Sequence, residues 1–316
     1  MGEAAAVAAA VSWAFSSVAM TSVSVRVPAL VIGALMASFA SVILVTALVI
    51  TGQYDDLTAA SAATLLALVT SGVVGFAIGE PIYVRTLSIL GMQRTYPVAM
   101  GLFILFSSTG GIVLLGEHFT PGLVLGGVLI VGGAYLIAAF RREPSHGGHA
   151  APSLPGDGSS RTAVAPAAVQ APSRHLRAYG MLVLVPVMWT TATLVLARTA
   201  DEVGPIPAAA LRVPAGAMLL TVFLLLVRPR DLGDALRSRR DVLTIAGAGV
   251  AGISIASLLF VFALFEAGAA RTSVLTASSP LFAMPLAVAF LGEQLTRYVL
   301  LGTTLSVAGI IIVVTL

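Results

Sequence analysis

The sequence predicts an all-α membrane protein: ten transmembrane helices arranged as two inverted five-helix repeats. Three observations carry that expectation. The 316-residue chain is 58% hydrophobic and only 10% charged, and its mean hydropathy is +1.02. A water-soluble domain needs a charged exterior that this composition cannot supply. Ten stretches approach the roughly 20 apolar residues that a helix needs to cross the hydrocarbon. Finally, the chain repeats itself at one fixed spacing. LGEHFT at 115–120 returns as LGEQLT at 291–296, so Glu117 and Glu293 stand 176 residues apart (293 − 117). Trp13 and Trp189, the only 2 tryptophans, are separated by the same distance. A single gapless offset linking both ends of each half is the mark of an internal duplication.

The expected spans of the first half are 4–23, 29–50, 65–87, 95–115 and 121–140. Those of the second are 178–196, 207–227, 242–264, 273–291 and 298–316. The chain therefore divides into a first repeat (1–140), a linker (141–177) rich in Pro, Gly, Ser and Ala, and a second repeat (178–316). Five spans is an odd number, so the second copy enters the membrane upside down. Inverted repeats of this kind let two halves exchange conformations around a site at the bilayer midplane. The opening segment MGEAAAVAAAVSWAF lacks a basic start and carries Glu3, so it reads as the first span and not as a cleaved signal. Glycines at GLVLG (122–126), Gly132-Gly133, Gly247, Gly249 and Gly252 are expected to mark helix contacts, because close packing holds membrane helices together.

Several function classes are excluded. With no cysteine there are no disulfides, thiolate metal sites or redox centres. Neither Lys nor Asn occurs, so no N-glycosylation sequon exists, and this codon usage points to a GC-rich bacterial genome. The pI near 9.7 rests on a net charge of only +3, and the arginines sit in loops, so no nucleic-acid partner is expected. GAGVAG at 247–252 formally fits a dinucleotide fingerprint, but it lies at a membrane span with no preceding strand. His146 and His149 belong to the solvated linker, so no metal site is expected. There is no GxSxG, HExxH or P-loop, hence no catalytic residues and no enzyme.

The remaining residues point to a site. Glu80 falls near the middle of the third span, where a carboxylate costs about 2.5–3.5 kcal/mol and is functional by default. Helical spacing puts it on one side with Gly72, Phe76 and Tyr83, and the adjacent Pro81 frees a backbone carbonyl one turn earlier. Trp13 and Trp189 fall mid-span, away from the interfacial belt tryptophan prefers, which suits the wall of a central cavity. Tyr96 has the same potential. Arg212, a turn and a half into the seventh span, either attracts an anionic substrate, pairs with a carboxylate, or snorkels to the headgroups. Glu266 and Arg271 are expected to pair at the surface. Glu117 and Glu293 read chiefly as structural turns, with Thr120 and Thr296 capping the helices that follow.

In these features the sequence resembles the drug/metabolite transporter superfamily, specifically the EamA-type ten-helix members. The resemblance rests on Gly116-Glu117-His118-Phe119-Thr120 and Gly292-Glu293-Gln294-Leu295-Thr296, supported by the paired tryptophans, AAALR at 208–212 and SSPLF at 278–282. It implies a secondary transporter that moves small metabolites, often outward, without ATP or a bound cofactor. The alternative class is a non-transporting membrane protein, such as an intramembrane enzyme or a partner subunit. Two departures set the halves apart: Met36 stands where the second half has Arg212, and Ile104 where it has Pro280. The expected partners are a small-molecule substrate and the lipid bilayer of a bacterial plasma (inner) membrane, and the sequence is compatible with a monomer or a dimer.

Orientation follows from arginine, which collects in cytoplasmic loops. The loop TGQYDD has none, whereas RPRDLGDALRSRRD carries Arg228, Arg230, Arg237, Arg239 and Arg240. Placing the latter inside puts Arg26, Arg94, Arg141, Arg142 and Arg297 inside too, leaves Arg198 and Arg271 outside, and turns both termini outward. The family resemblance implies the opposite, and the local charge count is preferred over that analogy.

Overall fold

The computed structural model describes residues 1–23, 26–90, 92–118, 120–139, 172–291 and 297–316. Among them every regular element is helical. The first half contains α1 (Gly2–Val23), α2 (Ala29–Thr51), the short α3 (Asp55–Ala59), α4 (Ala62–Gly72), α5 (Glu80–Leu90), α6 (Met92–Leu115) and α7 (Pro121–Ala139). The second contains α8 (Pro172–Ala197), α9 (Pro205–Val227), the short α10 (Pro229–Leu236), α11 (Arg239–Gly249), α12 (Ala256–Ala267), α13 (Ala269–Thr276), α14 (Ser279–Leu291) and α15 (Arg297–Thr315). Two π-helical segments join these helices: Val73–Gly79 runs from α4 into α5, and Val250–Ile255 from α11 into α12.

By length and composition, six helical stretches can cross a membrane: Gly2–Met20, Ala29–Thr51, Ala62–Thr86, Tyr179–Ala197, Pro205–Val227 and Arg239–Ala267. Ala99–Leu115, Pro121–Gly133 and Leu300–Thr315 are apolar but shorter. The stretch expected as one span at 273–291 is broken. It starts earlier, at Ala269, and α13 ends before a turn at Ala277-Ser278, where the Ser278 hydroxyl donates to the Leu275 carbonyl at 2.7 Å. Pro280 explains the break, since it lacks an N–H to continue the ladder and disfavours helical geometry in the residue before it.

Small residues let the helices meet backbone to backbone. In the α7–α15 contact, a methyl group at Gly126 would strike the Gly309 carbonyl, and one at Gly133 would strike the Gly302 carbonyl. Ser306 donates to the Ile130 carbonyl at 3.4 Å, between residues 176 apart. Of the glycines expected at contacts, Gly122, Gly126, Gly133, Gly249 and Gly252 all face a neighbour. Gly132 and Gly247 have nothing within 4 Å of where a Cβ would sit. In a doublet such as Gly132-Gly133 only one position can face the partner, because neighbours on a helix point about 100° apart. Gly72 lies against the backbone of Arg212, and Gly249 against the backbone of Met36, so α4 crosses α9 much as α11 crosses α2.

Where α1, α6, α8 and α12 meet the loops, carboxylates tie the halves together. Glu117 accepts from the Ala269 and Ala270 N–H groups at 2.5 and 2.8 Å. Asp56 accepts from Gly204 N–H at 3.0 Å, and Glu202 from Ser61 N–H at 2.8 Å. The Ser61 backbone donor, with further help from the Thr64 and Ser61 side chains, holds the Glu202 carboxyl below its ordinary range. The expected Glu266–Arg271 pair does not form: Arg271 reaches Glu3 instead, at 3.0 Å. It is drawn there because α13 packs against the start of α1. At the opposite end Arg26 pairs with Asp241 at 2.7 Å, which raises the Arg26 pKa further.

Candidate functional site

Helices from both halves line a cavity of about 170 Å³. From the first half α1 contributes Trp13 and Met20, α2 Met36, the π segment and α5 Phe76, Glu80 and Tyr83, and α6 Met100 and Phe103. From the second half come Trp189 and Thr193 of α8, Arg212 of α9, and Gly252, Ser257 and Phe260 of the π segment and α12. Five of the six residues proposed from sequence for the site thus meet here: Glu80, Tyr83, Trp13, Trp189 and Arg212. Tyr96 lies on α6, and its side chain is outside the described residues. Glu293 and Thr296 also lie outside them.

Aromatic contacts on the cavity wall cross between the halves. Trp189 stacks against Tyr83 with centroids 4.9 Å apart and meets Phe103 edge-on at 6.3 Å. Trp13 packs on Phe260 at 5.4 Å. Tilted and edge-on pairs at such distances add about 0.5–1.5 kcal/mol each beyond the area they bury. A side chain at Gly79 would press on the Trp189 indole, so glycine there leaves room for the ring.

Arg212 does not snorkel. It is 5% exposed, and its guanidinium carbon sits 5.1 Å from the centre of the Phe76 ring. A cation over an aromatic face gains about 0.5–2 kcal/mol, less than the several kcal/mol that burying the charge costs. Gly72 turns out to pack on α9 behind the cavity, while Gly75 lines it. The π segment accounts for the change, since its wider turn moves each later residue off the face that α-helical spacing predicts. That segment ends at Gly79, and Glu80 follows immediately. Its counterpart ends at Ile255, and Ala256 follows. Positions 80 and 256 are repeat-related, so one half puts a carboxylic acid after its π turn and the other a methyl group.

Sequence reasoning missed the π segments, as well as Met20, Phe103 and Ser257. No local signal marks these positions. They become site residues through what faces them. Glu117 and Thr120 make capping bonds at helix starts. Thr120 caps α7 by accepting from Leu123 N–H at 3.2 Å, and Glu117 caps α13 across the halves.

The sequence profile of the EamA-like transporter family matches residues 1–139 and 176–315, both halves without the linker between them. The chain belongs to the EamA-like transporter family. EamA members are membrane transporters of the drug/metabolite superfamily, not enzymes, and this chain is accordingly a multi-pass membrane protein. None of the curated proteins matches it. A solved structure described only as "Crystal structure of protein" is similar in fold: TM-score 0.73 at 17% identity, covering 98% of this chain and 95% of that one. In this EamA-type chain the cavity is lined by residues of both halves.

Proposed function

We propose that the protein is a secondary transporter exporting a small metabolite by alternating access around this cavity. The observation that carries the reading is the cavity itself. Both halves supply its walls, and an acid, a guanidinium and several aromatic rings line it. Two inverted five-helix repeats account for the paired features at one spacing: the π turns, the Met36 and Arg212 crossings, and the Ser306–Ile130 bond on the α7–α15 contact. Rocking one repeat against the other exposes such a site to each side in turn.

The carboxylate ties of Glu117, Asp56 and Glu202 join the halves at one end. At the other end Arg26 pairs with Asp241 across the halves. Glu80 is the candidate proton carrier, being a carboxylic acid on the cavity wall. No cofactor is invoked, since flux is driven by a gradient.

Metabolite profiling tests the reading. Cells overproducing the protein should lose one solute from the cytoplasm and gain it in the medium, and cells lacking it should show the reverse. If no solute changes on both sides in opposite directions, a non-transporting role replaces this one.

A further inference from the structure

Two buried polar atoms of the cavity have no hydrogen-bond partner among the described residues: Nε of Arg212 and Oγ of Ser257. Both side chains are almost fully enclosed, at 5% and 4% exposure, and both line the cavity. A buried charge is normally paired, and each unsatisfied buried group calls for an explanation. Here Glu80 shares the cavity, yet no ion pair joins it to Arg212. Phe76 covers the guanidinium face, and a ring has no acceptor to offer the N–H edge. The repeat-related position, Met36, lines the same cavity with an apolar side chain. A crossing of this kind is thus built with an uncharged residue in one half, so the geometry as such does not call for a cation.

A guanidinium edge is shaped for a planar oxyanion, which it binds through charge-assisted, often bidentate, hydrogen bonds. Size limits the rest of the molecule. A cavity of about 170 Å³ is close to the ~150 Å³ space known to accept benzene, so it has room for a body about one ring in size. Resting on the transporter reading above, we infer that Arg212 is the anion-recognition residue of the cavity. The solute class is then a small organic monoanion with a carboxylate head and an apolar body about one ring in size. The head pairs with Arg212, the Ser257 hydroxyl is at hand in the same wall, and the body lies among Trp13, Trp189 and Tyr83.

The two tryptophans are the only ones in the chain and both line the cavity, so intrinsic fluorescence reports its occupancy. Purified protein is titrated with phenylacetate, phenylacetamide and phenethylamine, which share a ring and differ in charge. Phenylacetate should give a saturable change and the other two none. Arg212→Met should abolish the response without altering the elution profile or thermal unfolding. Arg212→Lys should keep the preference for the anion at least tenfold more weakly, and it carries the test should the Met variant not fold. The inference is overturned if phenylacetamide binds as well as phenylacetate, if the response survives in Arg212→Met, or if none of the three probes binds. Each of these outcomes leaves transport itself to the metabolite profiles, so the two readings fail separately.

Discussion

The carboxylate of Glu117, at the end of α6, caps the first turn of α13 in the opposite half by accepting the Ala269 and Ala270 N–H groups. Gly268 just before them has φ +80°, and a side chain there would press on the same carboxylate. A negative group at a helix N-terminus gains from the helix dipole as well as from the hydrogen bonds.

Replacing Glu117 by alanine leaves two N–H donors at a helix start without their acceptor. The expected loss is about 2–3 kcal/mol of stability, from charge-assisted bonds of typical strength. Glu117→Gln should lose about half as much, since it keeps one acceptor oxygen. Thermal unfolding of the purified variants in detergent measures both. An alanine variant as stable as the parent would show that the clasp contributes nothing.

The α7–α15 contact makes a positional prediction. Gly133→Ala should destabilise the protein or reduce its membrane yield, because the added methyl meets the Gly302 carbonyl. Gly132→Ala, one residue away with open space around it, should be neutral. Equal behaviour of the two variants in an expression and unfolding assay would contradict the observed helix rotation.

Glu80→Gln should impair transport while leaving insertion and folding intact. The amide keeps the shape and most of the hydrogen-bonding capacity of the acid but cannot carry a proton. Flux in proteoliposomes across a range of pH, with the solute found by profiling, is the measurement. A Gln variant with parental rate and unchanged pH dependence removes Glu80 from coupling.

Orientation is open to direct chemistry, since the chain has no cysteine. If arginine sets the topology, an impermeant thiol reagent on intact cells should label Tyr54→Cys and leave Ser159→Cys in the linker unlabelled. The reverse pattern would place both termini in the cytoplasm, as the family resemblance implies.

The sequence by itself determined the class of this protein. Hydrocarbon demands long apolar helices, and no tertiary arrangement changes that demand, so the spans of α1, α2, α8 and α9, and those running through α4–α5 and α11–α12, were readable within a few residues. It also exposed Glu80, Arg212, Trp13 and Trp189, because a charge or an indole at membrane depth is costly or misplaced unless something receives it. Only the tertiary structure decided what receives them. The α-helical period could not reveal that π turns precede Glu80 and Ala256, nor that Gly133 and not Gly132 faces a neighbour. Arg212 could have snorkelled, paired or lined a cavity, and the choice was made by the packing of α4 on α9 and the placement of Phe76. Glu117 was legible as a turn residue, but its partners lie about 150 residues further on, in another helix. Local energetics are written in neighbouring residues; the identity of a long-range partner is not, because it depends on which helix faces cross and at what depth.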